Sequence, residues 1–281
     1  MGYSERLTAY CRNGGRGVEG WISMIDLEIF RTLLSQDAVR GACVEIGVHH
    51  GKTFLILLMA NEGKACYAID IFDQQHLNVD KSGRGDREIL ERNMASHGFE
   101  PGQVTIDARS SQEVTPADIL DSVGPARFFH IDGGHHFEAV TSDFRLADKV
   151  LADDGVIAVD DALRGEWPDV ARGMFYAIRE LDLQIFAFGP NKAYICRLTM
   201  VKEKQRVLAT SQLLPLFISK AYRTESGSIF CFQRNSATYG LMKAMGNVVT
   251  QSHPHMTQRL ARAFAPSLIE NRKARMQKGL A

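Results

Sequence analysis

Val44-Glu45-Ile46-Gly47-Val48-His49-His50-Gly51-Lys52-Thr53 reads as the end of a strand, a turn and the start of a helix. The apolar run 42–48 has strand length, Gly51 closes it, and 53–60 continues as a buried helix. Two glycines four positions apart at such a junction permit a tight turn and a close approach of backbone to ligand. The stretch lacks the G-x-G-x-x-G of a pyrophosphate cradle. Nor is it the phosphate loop G-x-x-x-x-G-K-[ST], because Gly47 stands one residue too close to Gly51-Lys52-Thr53. What remains is E-x-G-x-x-x-G, a ligand loop of another kind.

Outward from this loop, strands and helices alternate. An amphipathic helix over 22–35 precedes it, and a second strand, 65–71, ends near Asp70. A polar stretch, 73–85, with Ser82, Gly83 and Gly85 reads as a mobile loop. Then follow a helix over 86–95, strands over 104–106 and 127–131, a helix over 138–151 and a strand over 156–159. Pro168 opens a further helix towards Leu181, and 184–188 with 193–198 flank the turn Gly189-Pro190-Asn191. This alternation predicts an α/β fold: a mainly parallel seven-stranded sheet, helices on both faces, and a terminal antiparallel hairpin at one edge. Beyond Thr199 the pattern weakens. Residues 200–222 read as helical, 229–233 as a strand, and 240–281 as helices broken by Pro254 and Pro266. The expected division is an N-terminal helical cap (1–40), a core (41–199) and a mostly helical C-terminal extension (200–281). The apolar run Leu213 to Ile218 suggests that the extension serves an interface, either homo-oligomeric or closing the substrate pocket.

Composition bounds the function. Of 281 residues 45% are hydrophobic and 23% charged, and 33 basic side chains cancel 33 acidic ones, so no global field draws the chain to nucleic acid or membrane. No apolar run is long enough for a membrane span, and no secretory leader is evident. Five widely spaced cysteines without C-x-x-C suit reduced thiols, hence an expected cytoplasmic location. Charge is nonetheless segregated: 107–169 holds 14 acidic against 5 basic residues, and 240–281 holds 7 basic against 1 acidic. The basic tail reads as a solvated helix face.

The acidic block contains the most specific stretch, Phe128-Phe129-His130-Ile131-Asp132-Gly133-Gly134-His135-His136, followed by Val159-Asp160-Asp161. These segments end the fourth and fifth strands, which adjoin in this sheet type, so Asp132, Asp160 and Asp161 should converge at one end of the ligand crevice. Packed carboxylates repel, a hard divalent cation relieves that repulsion, and all-oxygen ligation favours Mg²⁺ or Mn²⁺ over zinc. The residues leave other roles open. Asp132 can contact cofactor or substrate directly, Asp161 can cap the next segment, and His135 can be structural. His49 and His50 read as pocket wall, and Trp167 as a stacking platform or a packing anchor.

E-x-G-x-x-x-G with an acid ending the next strand resembles the cofactor loop of the class I S-adenosylmethionine-dependent methyltransferases, and the fold expected from that resemblance is Rossmann-like. The resemblance assigns Glu45, Gly47 and Gly51 to the cofactor loop and Asp70 to the ribose hydroxyls. The segment Val104 to Ser110 matches the family's adenine border, which makes Asp107 and Ser110 cofactor-side residues; a helix cap at Ser110 explains the same residue. D-G-x-H with paired acids after the fifth strand resembles the metal-dependent O-methyltransferases of the macrocin type. That implies metal ligation by Asp132, Asp160 and Asp161, a cofactor contact for Asp132, and His135 as the base. The implied activity is methyl transfer from S-adenosylmethionine to a hydroxyl of a small molecule or sugar, assisted by Mg²⁺ or Mn²⁺. Two rival readings stand beside it: another metal-dependent enzyme on this fold, such as a hydroxylase, and a non-catalytic cofactor-binding partner protein.

Overall fold

Along the central strands both residue parities are apolar, as a sheet covered on two faces requires. Cys43, Phe128, Val156 and Ala158 face one layer, while Val44, Phe129, Ile157 and Val159 face the other. The computed structural model describes residues 2–36, 40–224 and 227–233, together with 273, 274, 276 and 277. In chain order the strands are β1 (Ala42–Ile46), β2 (Cys66–Ile69), β3 (Thr105–Asp107), β4 (Ala126–Ile131), β5 (Leu151–Val159), β6 (Leu183–Phe188), β7 (Ala193–Arg197), β8 (Ile218–Thr224) and β9 (Gly227–Phe232). They form one sheet in the order β3-β2-β1-β4-β5-β7-β6-β9-β8. Strands β1 to β5 pair in parallel, β7 runs antiparallel between β5 and β6, and β9 pairs parallel with β6.

The first layer holds α1 (Tyr3–Arg12), α2 (Met24–Leu34), α3 (Phe54–Ala60), α4 (Arg87–Ser96), α8 (Val201–Thr210) and α9 (Leu214–Phe217). The second holds α5 (Pro116–Val123), α6 (Phe137–Val150) and α7 (Pro168–Glu180). The α/β class, the parallel core and the helices on both faces are as expected. Three local expectations are corrected. The sheet has nine strands among the described residues rather than seven, because 218–224 is a strand, not the end of a helix, and β8 with β9 prolongs the sheet past β6. The hairpin of β6 and β7 is therefore interior, not an edge. The apolar run Leu213 to Ile218 needs no outside partner: Leu214, Leu216 and Ile218 are buried within the chain.

Two further differences have simple causes. Helix α2 is buried on nearly all sides, Asp26, Glu28 and Thr32 included, because α1, α8 and α9 cover the flank that amphipathy would leave to solvent. Helix α5 escaped the sequence reading although its start is signalled by Thr115-Pro116-Ala117-Asp118. Thr115 and Asp118 exchange side-chain-to-backbone hydrogen bonds there, closing a capping box. The helices expected over 240–281 lie outside the described residues, apart from four helical positions between 273 and 277. Among the described residues no helix is long and apolar enough to cross a membrane.

Phe30 of α2 is wholly buried, its ring centroid 4.9 Å from that of Phe128, 5.4 Å from His130 and 6.1 Å from Tyr194. Phe30→Ala should cost about 3–5 kcal/mol in urea unfolding, seen as a lower midpoint at unchanged slope. A loss below about 1 kcal/mol would show that α2 does not anchor this face.

Candidate active site

The order β3-β2-β1-β4 places the point of strand reversal between β1 and β4, where ligands bind in open parallel sheets. At that point a cavity of about 1070 Å³ opens over the carboxyl ends of the strands. Its size is at the top of the range for small-molecule pockets, enough for a cofactor and an acceptor side by side.

One half is built by the glycine loop. Gly47 has φ +79°, and a Cβ there would lie 1.8 Å from the Asp132 carbonyl oxygen, so only glycine lets β1 and the segment after β4 meet. Asp70 follows β2, and its carboxylate accepts from the His49 N–H (2.8 Å) and the Phe72 N–H (2.8 Å). Burial raises its pKa, and those two donors oppose the rise. Each oxygen keeps a lone pair for a ligand hydroxyl. Glu45, Gly47, Asp70, Ser110 and Asp132 all line this cavity. Gly51 (φ +87°) does not line it, but faces Leu90, whose Cδ1 would be 2.5 Å from an added Cβ. Asp107 is turned away: Arg109 grips it through Nε (2.7 Å) and a terminal nitrogen (2.6 Å), and the Tyr67 hydroxyl donates to it (2.7 Å). Arg109 lowers the pKa of Asp107 and itself supplies the cavity wall. Ser110 caps the turn that follows, its Oγ accepting from the Gln112 N–H at 3.3 Å.

The other half is a buried chain of polar groups. Glu45 Oε1 accepts from His130 Nδ1 (2.7 Å), and His130 Nε2 accepts from Lys192 Nζ (3.0 Å). Lys192 Nζ also lies 2.6 Å from Asp160 Oδ2. Asn191 Nδ2 donates to Asp160 Oδ1 (2.6 Å) and Asp161 Oδ1 (2.7 Å), and Asp161 Oδ2 is 3.3 Å from His135 Nε2. His135 Nδ1 completes the line at 2.9 Å from Asp80. Lys192, on the residue before β7, is 1% exposed. Burial works against its charge, but Asp160 and Asp132 outweigh burial and raise its pKa. His130, desolvated and facing that ammonium, is held neutral with its pKa well below the usual imidazole range. Asp132 is raised well above the carboxylate range by burial and then by Asp160, and Glu45 by burial and then by Asp132. Asp26 of α2 receives the Tyr194 hydroxyl (2.8 Å) and is raised to about 6, chiefly by burial.

The expected three-acid metal site does not form in this arrangement. The donors close enough to share one ion, within 4.8 Å, belong to His130, Asp132 and Asp160. Asp161, at φ +52°, turns instead to His135, Asn191 and Arg164. The Lys192 ammonium already neutralises Asp160, so these residues as placed do not fit Mg²⁺ or Mn²⁺.

His135 is also not poised as expected. Burial lowers its pKa, but the hydrogen bonds to Asp161 and Asp80 prevail and raise it to about 9. Its ring stacks on Trp167, centroids 4.5 Å apart. Asp80 belongs to the 73–85 stretch, which is tied over the cavity through His135 rather than loose. Sequence reading missed Asp80, Asn191 and Lys192, all hidden in segments that read as loop or turn. It also passed over His130, although a polar residue inside Phe128-Phe129-His130-Ile131 was a visible signal.

A family model described as a methyltransferase domain matches residues 44–162, from β1 to the acids after β5. Residues 44–162 are similar to methyltransferase domains. The matched segment lines both halves of the cavity; the lining outside it comes from 19–26 and from Arg164, Trp167, Asn191 and Lys192. Among solved structures, the O-methyltransferase NovP matches 67% of this chain and 88% of its own at 17% identity and TM-score 0.52, which shows a shared fold. CalS11, a TDP-rhamnose 3'-O-methyltransferase of calicheamicin biosynthesis, matches 69% of this chain and 92% of its own at 16% identity and TM-score 0.45. No curated protein matches the sequence significantly.

A histidine raised on folding from 6.5 to about 9 adds stability that is complete below pH 6.5 and lost as pH rises through 9. The facing groups are Asp80 and Asp161, both held below the usual carboxylate range, and Asp132, raised well above it by burial and Asp160, with neutral Trp167 stacked on the ring. The melting temperature should therefore fall between pH 6.5 and 9, and His135→Gln should flatten that fall. Identical profiles for both proteins would contradict the assignment.

Proposed function

We propose that the chain transfers the methyl group of S-adenosylmethionine to a hydroxyl of a small molecule, sugars included. The observation that carries this reading is the cavity itself, with the glycine loop and Asp70 at one end and a set of polar, pKa-shifted groups at the other. The hydroxylase-like and non-catalytic readings give way to it. The fold shared with NovP, an O-methyltransferase, agrees with an oxygen acceptor.

The sulfonium methyl is electrophilic already, so the protein must align the acceptor oxygen and take its proton. Asp70 and the backbone of the Gly47–Gly51 loop hold the cofactor. Asp132 is the proton acceptor: its carboxyl, raised by burial and by Asp160 and so made more basic, lines the cavity. His135, assigned as base by resemblance, already carries a proton near neutrality, and with its ring nitrogens engaged by Asp80 and Asp161 it holds the 73–85 stretch against the acceptor end of the cavity. Lys192 supplies the positive charge that a divalent ion would bring elsewhere, so catalysis proceeds without added Mg²⁺. Trp21, 73% exposed at the mouth, and Trp167 deeper in give a ring-bearing acceptor two flat surfaces.

The test uses S-adenosylmethionine labelled at the methyl group and a panel of phenols, catechols and sugars. Label should appear on oxygen of at least one hydroxyl acceptor, and Asp70→Ala should weaken cofactor binding in calorimetry by about 1.5–3 kcal/mol. Unchanged affinity in that variant, or transfer confined to amines, would overturn the reading.

A further inference from the structure

Across the cavity mouth from the Lys192 chain lies a separate cluster. Glu19, from the segment joining α1 to α2, meets His49 and His50 of the glycine loop, and one donor atom from each lies within 4.8 Å of the others. The approach is enforced from both sides. Lys52 Nζ donates to the Val18 carbonyl (2.9 Å), and the Tyr10 hydroxyl donates to the Lys52 carbonyl (3.0 Å), which pins the 10–18 stretch to the loop. His49 adopts φ +50°, rare for a residue with a side chain, and its ring lies 3.8 Å from that of His50.

Such an arrangement leaves polar atoms without partners. His50 is 7% exposed, and its Nδ1 makes no well-formed hydrogen bond, although Glu19 Oε2 is 3.2 Å away. His49 Nδ1 is likewise buried without a hydrogen-bond partner. Buried nitrogens left this way are costly unless a ligand takes their lone pairs. Two imidazoles and a carboxylate form a borderline donor set, suited to zinc-like cations and ill suited to Mg²⁺. Donors about 2.0–2.1 Å from a tetrahedral ion lie about 3.4 Å apart, close to the separation of Glu19 and His50.

We propose that Glu19, His49 and His50 bind a divalent transition metal of the zinc type, which clasps the 13–23 segment to the glycine loop. The clasp is independent of the acids after β4 and β5, and of the methyl acceptor. Because Glu19 and His49 line the cavity, the ion fixes one wall of its entrance.

The experiment uses full-length, tag-free protein stripped with chelator, titrated with Zn²⁺ in calorimetry and with Co²⁺ by visible absorption. A single equivalent should bind, with tetrahedral Co²⁺ bands and a raised melting temperature, while Mg²⁺ has neither effect. Glu19→Gln, at a side chain 67% exposed and so safe for folding, should weaken Zn²⁺ binding by about tenfold or more, and His49→Gln likewise. Asp132→Asn should leave it unchanged. Absence of stoichiometric binding, binding undiminished in Glu19→Gln and His49→Gln, or binding abolished by Asp132→Asn would each overturn the proposal.

Discussion

A single buried ammonium holds the catalytic end of this molecule together. Lys192 faces Asp160 at 2.6 Å and His130 at 3.0 Å, with Asp26, Glu45 and Asp132 also within its field. Without that charge, several carboxylates would share one desolvated space, and most would have to take up protons. With it, Asp160 has a paired cation, His130 stays neutral and is fixed as the tautomer that donates to Glu45, and the line runs unbroken to Asp80. Burying one charge and one countercharge is a poor route to stability by itself. Around the ammonium the groups have pKa values pushed apart: burial and Asp160 raise Asp132 against the pull of Lys192, while the mutual contacts of His135 with Asp80 and Asp161 lower the two acids and raise the histidine.

The architecture explains how the ammonium comes to be there. In register, Glu45 of β1, His130 of β4, Ala158 of β5 and Tyr194 of β7 form one row across the sheet. All point to the α2 side, where Asp26 closes the row through Tyr194. Gly189 must be glycine for this closure, since a Cβ there would sit 1.8 Å from Asp26 Oδ1. The turn before β7 thus packs on α2 and delivers Asn191 and Lys192 to the acids after β5. Helix α2, the β6–β7 hairpin and the carboxylate cluster are one mechanical unit.

The parallel core and the glycine loop were legible because period, strand length and the Gly47–Gly51 spacing all agreed. Asp70, Asp132 and Asp160 were legible because acids at strand ends are conspicuous after apolar runs. Lys192 was not, because a lysine behind Gly189-Pro190-Asn191 has the local pattern of an exposed turn, and only insertion of β7 beside β5 buries it. For the same reason, repulsion among the acids pointed to a metal: the compensating charge comes from a segment about thirty residues further along the chain. Strand β8 was missed because Ile218–Thr224, with Ser219, Lys220, Arg223 and Thr224 among its seven residues, has no apolar alternation to separate a strand from the end of the preceding helix. Asp80 lay in a stretch whose glycines and serines suggested mobility, and its partner His135 is 55 positions away.

The most direct test of Lys192 as the resident cation is thermal and urea unfolding of wild type and Lys192→Met, each with and without Mg²⁺. Wild type should be indifferent to Mg²⁺. Lys192→Met should lose about 3–5 kcal/mol, the scale for removing one partner of a buried ion pair, and regain part of it when Mg²⁺ is added. A wild type that Mg²⁺ stabilises, together with a Lys192→Met variant as stable as wild type, would contradict the account.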